Sequence, residues 1–280
     1  MRLSSLLSRF AVSAGIVAIV AQIATPAGAA DMVSGPPLKA MPVLPTKAPP
    51  PAPPPAPSWT GCYIDGGAGY GMWDQTHQSI NIPTSPAPIS AFSTSAGEGW
   101  LGRVGGGCDY QFTIGGIGSF VVGAVADYDF GHIHGAFQNT FSGAGGDENE
   151  SSAWAVGGRI GYLITPALLT YVDGGYTAAG FDQTSLGATN IFPPGAPFAF
   201  VPATTYQGWF VGIGTEYALN FGWLPIQGLF WRTEYRYADY APKNVQEFLL
   251  SGAPGTGDRM QNDVQTVTTS LVWRFNWVGR

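Results

Sequence analysis

The chain has 280 residues, of which only 11% are charged and 13% aromatic, with 40 glycines and a formal net charge of −6. A soluble protein usually carries about a quarter charged residues, so this composition speaks against one, and the acidic balance speaks against a nucleic-acid partner. After residue 58 no run reaches the roughly 18 apolar residues that a transmembrane helix needs.

Arg2 and Arg9 make a positive start, "FAVSAGIVAIVAQI" is a short apolar run, and "AGA" ends it with small residues. This order predicts a secretory signal peptide over residues 1–30, the apolar run being too short for a membrane anchor. Residues 31–58 read "DMVSGPPLKAMPVLPTKAPPPAPPPAPS". Proline at that density blocks helix and sheet ladders, which predicts an extended polyproline II linker in the periplasm. Such a spacer is also placed to touch peptidoglycan.

The folded domain is expected over residues 59–280. Segments of period-two alternation recur near 60–72, 97–112, 118–131, 151–164, 168–180, 206–221, 227–240 and 263–277, separated by Gly, Pro, Asn, Asp and Ser. Eight such segments predict an all-β fold, an eight-stranded antiparallel up-and-down transmembrane β-barrel. The links after the second, fourth and sixth segments are short ("TIGGI", "TPA", "GWLPI"), and those after the others are long. Bacterial barrels keep short turns on the periplasmic side, so both ends of the chain are expected there, with the barrel in the outer membrane.

Parity sorts the faces. Tyr70, Trp100, Tyr128, Trp154, Tyr176, Trp209 and Tyr237 share the outward face near one end. Tyr110, Tyr162, Tyr217, Trp231, Phe275 and Trp277 share it near the other. Two aromatic belts are what amphipathic rings at two bilayer interfaces produce. On the inward parity lie Arg103, Arg159, Arg232, Arg236 and Arg274, with Asp65, Asp109, Asp127, Asp129, Asp173, Glu216 and Glu234. An eight-stranded barrel is only wide enough for side chains to fill, so a lumen packed by Arg–carboxylate pairs is expected. Inward glycines such as Gly107 are expected to clear room for the arginines. The same residues could instead line a small diffusion channel, and that alternative stays open.

Cys62 and Cys108 fall at the same end of adjacent segments on the same face. A cross-strand disulfide is the expectation, with two separate buried thiols as the alternative. His77, His132 and His134 read as solvated loop residues, and "DENE" (residues 147–150) as an acidic loop tip. Two histidines make no metal site. A hydrolase built from His132 or His134 with Asp129 and Ser142 is a second alternative. No cofactor, metal or catalytic residue is assigned, and the protein is read as a monomer that is not an enzyme.

"WTGCYIDGGAGYGMW" after a proline-rich spacer, "GGGCDYQF", "EYRYADY" and the closing "LVWRFNW" resemble the alphaproteobacterial outer-membrane immunogenic proteins, small porin-family β-barrels. The resemblance spans about residues 59–277. It implies a barrel like the membrane domain of outer-membrane protein A, abundance at the cell surface, and a role in envelope integrity or host contact, in company with outer-membrane lipid and lipopolysaccharide. It assigns no catalytic residues. It also implies that Trp273, Phe275 and Trp277 form the terminal signal read by the barrel-assembly machinery. Members usually stop at the aromatic-Asn-aromatic end, whereas here Val278, Gly279 and Arg280 follow, an overhang whose removal is expected to leave assembly intact.

Overall fold

Successive strand residues face opposite ways, so a sheet closed on itself has one face in the lumen, the other outside, and no free edge. The computed structural model closes in this way. It describes residues 57–82, 86–139, 141–189, 195–219 and 228–275, all within one compact unit, Pro53–Arg280. The expected signal peptide, most of the linker, the "GWLPI" turn and Asn276–Arg280 lie outside the described residues.

The strands are β1 (Gly61–Ile80), β2 (Ser93–Ile114), β3 (Gly118–Asn139), β4 (Ala144–Thr165), β5 (Leu168–Phe181), β6 (Thr184–Ala188), β7 (Ala199–Val201), β8 (Thr204–Ala218), β9 (Leu229–Tyr240), β10 (Lys243–Leu249) and β11 (Pro254–Phe275). The order β1-β2-β3-β4-β5-β8-β9-β11 closes on itself, because β11 pairs back onto β1 from Cys62↔Phe275 to Ile80↔Gly257. Eight antiparallel strands therefore form the ring. The β2–β3 turn needs a left-handed residue, which Gly116 supplies at φ +79°. This end, with the β4–β5 turn beside it, is called the short-turn end below, and the opposite one the long-loop end.

The strands run further toward the long-loop end than alternation predicts. β3 reaches Asn139 and β4 begins at Ala144, so the link expected to be long is only residues 140–143. β6, β7 and β10 prolong β5, β8 and β9 past breaks at residues 182–183, 202–203 and 241–242. They pair in the order β4-β6-β7-β10-β11, which keeps the ring at eight strands beyond the breaks. Pro202 and Pro242 fall in two of the breaks, where a residue without an N–H cannot continue the ladder. The inner face of these extensions is largely polar, so they lack the apolar alternation by which a strand is read.

Both aromatic belts exist, and cross-strand register carries them round the wall. On the long-loop side Tyr70 pairs with Trp100, Tyr128 with Trp154, and Tyr176 with Trp209. Rings touch at 5.2 Å for Tyr70–Trp100 and 5.4 Å for Trp154–Tyr176, and Trp100 is 73% exposed on the outer surface. At the short-turn end Phe112, Phe120 and Tyr162 form a continuous contact at 5.9 and 5.2 Å. Cys62 and Cys108 are opposite each other in register, joined by a disulfide that ties β1 to β2 below this belt.

Candidate functional site

The lumen is filled in layers. At the short-turn end Trp59, Leu169, Phe230 and Val272 pack together and are sealed from solvent. Beyond them lies the charge network. Arg274 donates to Glu216 at 2.7 and 2.9 Å and to Asp109 at 2.6 Å. Arg159 donates through Nε to Asp109 at 2.9 Å and forms a second, shorter bond to the same carboxylate, while its Nη1 reaches Glu216 at 3.3 Å. Arg232 donates to Glu216 at 3.1 Å and to Asp65 at 3.0 Å. Three guanidinium groups thus converge on Glu216.

A second group follows along the axis. Arg103 holds Asp129 through two bonds of 2.6 and 2.7 Å and reaches Glu234 at 2.9 Å. Arg236 holds Asp127 at 2.7 and 2.8 Å, pairs with Glu234 at 2.9 Å and lies 3.6 Å from Asp173. Every arginine placed inward by parity reaches at least one carboxylate, and the bidentate geometry is the strong, orienting form of that pair. Charges removed from water need such partners, since desolvation otherwise exceeds their attraction.

Aromatic rings complete the network. Arg159, Arg232 and Arg274 lie over the Tyr63 ring at 4.8, 4.7 and 4.8 Å, and the Tyr171 hydroxyl donates to Glu234 at 2.7 Å. Parity places both tyrosines inward, yet aromatic residues in this chain read first as belt residues, which hides their role. Gly107 makes room for Tyr63 rather than directly for an arginine: a Cβ there would stand 2.6 Å from the Tyr63 hydroxyl. The gap left among Asp65, Arg103, Arg159 and Arg232 is about 10 Å³, the room of a single water.

Trp73, Ile133, Phe137, Phe210 and Met260 form the next layer, an apolar fill of the lumen beyond the network. A polar cap follows, past the outer aromatic belt. Asn139 donates to Glu247 at 2.9 Å and to Asp258 at 3.1 Å, while Ser79 donates to Asp258 at 2.9 Å. Gln75 donates to Glu148 at 2.9 Å. Burial pushes Glu148 and Glu247 up to about 7 and Glu150 up to about 8, because no arginine shares this layer to hold their charge.

Several expectations are corrected here. The "DENE" stretch is strand, not a loop tip, and Glu148 and Glu150 point inward at 4% and 5% exposure. His77 is buried within β1, 2.8 Å from the Gln138 carbonyl and 2.7 Å from the Ser93 hydroxyl. Burial lowers its pKa, since the charged ring would lack solvent. Both errors share a cause: the strand extensions present polar residues to a closed interior. His132 and His134 are exposed on β3 rather than in a loop. Asp129 faces the lumen in the grip of Arg103, so the candidate hydrolase residues are not brought to one site. Trp273 is half-exposed on the outer face and Phe275 pairs with Cys62, while Trp277 lies outside the described residues.

A family model described as outer membrane protein beta-barrel domain matches residues 43–275. Two proteins called 31 kDa outer-membrane immunogenic protein, from Brucella melitensis biotype 1 and Brucella suis biovar 1, are each 29% identical over 234 residues, covering 82% of this chain and 88% of theirs. The crystal structure of the outer membrane protein OprG from Pseudomonas aeruginosa shares the fold with a TM-score of 0.50 at 12% identity, over 78% of this chain and 97% of that one. The match of the family model over most of the folded region, on an antiparallel ring of eight strands with two aromatic belts, places this chain in the outer membrane protein beta-barrel domain family.

Proposed function

We propose that the protein is a structural, surface-exposed barrel whose lumen is closed, and which serves envelope integrity and contact with the surroundings rather than transport or catalysis. The observation that carries this reading is the fill of the lumen. Glu216 binds three arginines within the network, and an apolar layer closes the path toward the long loops. A conducting pore needs mobile water beside its charges, whereas these charges bind one another. The short-turn end, where β1 begins and β11 ends, faces the periplasm, and the long-loop end faces outward beside lipopolysaccharide. The name of the Brucella relatives, immunogenic proteins, is in keeping with surface exposure. Trp273, Phe275 and Trp277 act as the end signal for the barrel-assembly machinery, and the linker reaches peptidoglycan.

Planar-bilayer recording of the purified protein tests this reading. The expected result is a silent membrane. Stable current steps that change on Arg232→Gln or Arg236→Gln would replace it with the channel reading.

A further inference from the structure

The barrel wall has one place where its ladder is interrupted on both sides of a strand. Between Phe130 and Ile133 the β3–β4 register shifts, and between Glu150 and Ser152 the β4–β5 register shifts, which leaves Ser151 between two bulges. A bulge frees ladder groups and opens the wall locally. A cavity of about 30 Å³ lies at this point.

Its lining comes from both faces of the sheet. Phe130 and Trp154 belong to the outer surface, 48% and 42% exposed, whereas Leu101, Ile133 and Val264 belong to the lumen. The cavity therefore passes through the wall, and its mouth lies at the outer aromatic belt, of which Trp154 is a member. Its polar lining is unusual for so tightly bonded a lumen. Arg236 Nε, Thr266 Oγ1 and Glu150 Oε2 line it without a hydrogen-bond partner, on side chains that are all more than nine-tenths buried. Each such orphan costs about 1–3 kcal/mol, which a bound group would relieve.

An aromatic mouth at interfacial depth, apolar walls and a polar interior match a molecule with an apolar chain and a small polar end. The Arg236 N–H and the Thr266 hydroxyl can both donate to one oxygen. Asp127, Asp129 and Glu150 line the same space, so an anionic end group meets like charge and a neutral one does not. The volume admits only two or three non-hydrogen atoms, roughly two waters' worth, so the chain must remain outside against Phe130 and Trp154. We infer that this wall cavity binds the hydroxyl end of a neutral single-chain amphiphile, an alkanol-like molecule dissolved in the membrane beside β3 and β4.

The test places the full-length mature protein in phospholipid nanodiscs and follows backbone amide resonances while 1-octanol is added, with octane and octanoate as comparison probes. Octanol is expected to give saturable shifts confined to Gly131 and residues 151–155, at least threefold weaker for octane and octanoate. Thr266→Val, of the same shape without the hydroxyl, is expected to weaken octanol binding at least threefold, and Thr266→Ser to preserve it. Thermal unfolding midpoints confirm that both variants fold. Shifts spread evenly round the aromatic belt would reduce the effect to simple partitioning and overturn the proposal. Equal shifts from octane, or an unchanged response in Thr266→Val, would overturn it as well.

Discussion

Glu216 and Arg274 meet in the lumen through two bonds, from Nε at 2.9 Å and Nη2 at 2.7 Å, with Glu216 wholly sealed from solvent. Arg159 and Arg232 reach the same carboxylate. Glu216 is thus the shared acceptor of three strands' charges. Glu216→Gln leaves three guanidinium groups with only Asp109 and Asp65 between them, and uncompensated buried charge costs about 3–5 kcal/mol. Urea unfolding of the protein in lipid vesicles is expected to show a loss of that size. Adding Arg274→Met to Glu216→Gln should restore part of it, because the surplus charge is then removed.

The disulfide between Cys62 and Cys108 spans a sequence separation of 46. Closing a loop of that length restricts the unfolded chain, an effect of about 2–4 kcal/mol. The bridge joins strands already paired through the ladder, so the native barrel should keep its register without it. Cys62→Ser/Cys108→Ser is expected to fold with the same secondary structure by circular dichroism and to unfold at lower urea. An unchanged midpoint would mean that the unfolded chain keeps the β1–β2 pairing on its own.

The membrane-spanning part was legible because lipid imposes a rule on every second residue. Arg103, Arg159, Arg232, Arg236 and Arg274 declare the inward face, and the belt aromatics declare the two interfaces. Beyond the outer belt the rule lapses. Around His134 and Glu150 the outer surface meets water and the inner surface is polar, so neither parity is apolar and the strands read as loops. Parity could have placed Glu148, Glu150 and Asn139 inward had the strands been extended past residue 131. Which arginine meets which carboxylate was not legible, because partners such as Arg159 and Asp109 depend on the stagger between strands that are not neighbours. The wall cavity was hidden for a similar reason: a bulge is one extra residue, and alternation shows only a change of phase.

Gly107 faces the lumen opposite Tyr63 in the β1–β2 register. A methyl group there would stand 2.6 Å from the Tyr63 hydroxyl and 2.3 Å from the Ala124 carbonyl oxygen. The ring cannot retreat, since three arginines stack upon it. Gly107→Ala is therefore expected to cost about 1–3 kcal/mol as overpacking, and Tyr63→Phe/Gly107→Ala should recover part by removing the hydroxyl. Urea midpoints of the two proteins measure the difference. Equal midpoints for wild type and Gly107→Ala would show that the backbone yields at this position.

The polar cap makes the long-loop end sensitive to pH. Glu148 and Glu247 are pushed up to about 7 and Glu150 to about 8 by burial, from an ordinary value of 4.5. Asp258 is raised for the same reason. The folded cap therefore binds more protons than the unfolded one between about 4.5 and 8, and stability falls as pH rises through that window. His77 acts in the opposite sense: its pKa is lowered from 6.5 by burial, so it destabilises only as pH falls below that value. From 6.5 upward the carboxylates act alone, each with a slope of up to about 1.4 kcal/mol per pH unit. Amide exchange, corrected for its intrinsic pH dependence, is expected to show β10 and the start of β11 losing protection between pH 6.5 and 8.5. The middle of β9, inside the arginine network, should not change. Glu247→Gln removes one of the titrating groups and should flatten the response. Constant protection in β10 across this range would mean that the cap carboxylates are already ionised at pH 6.5.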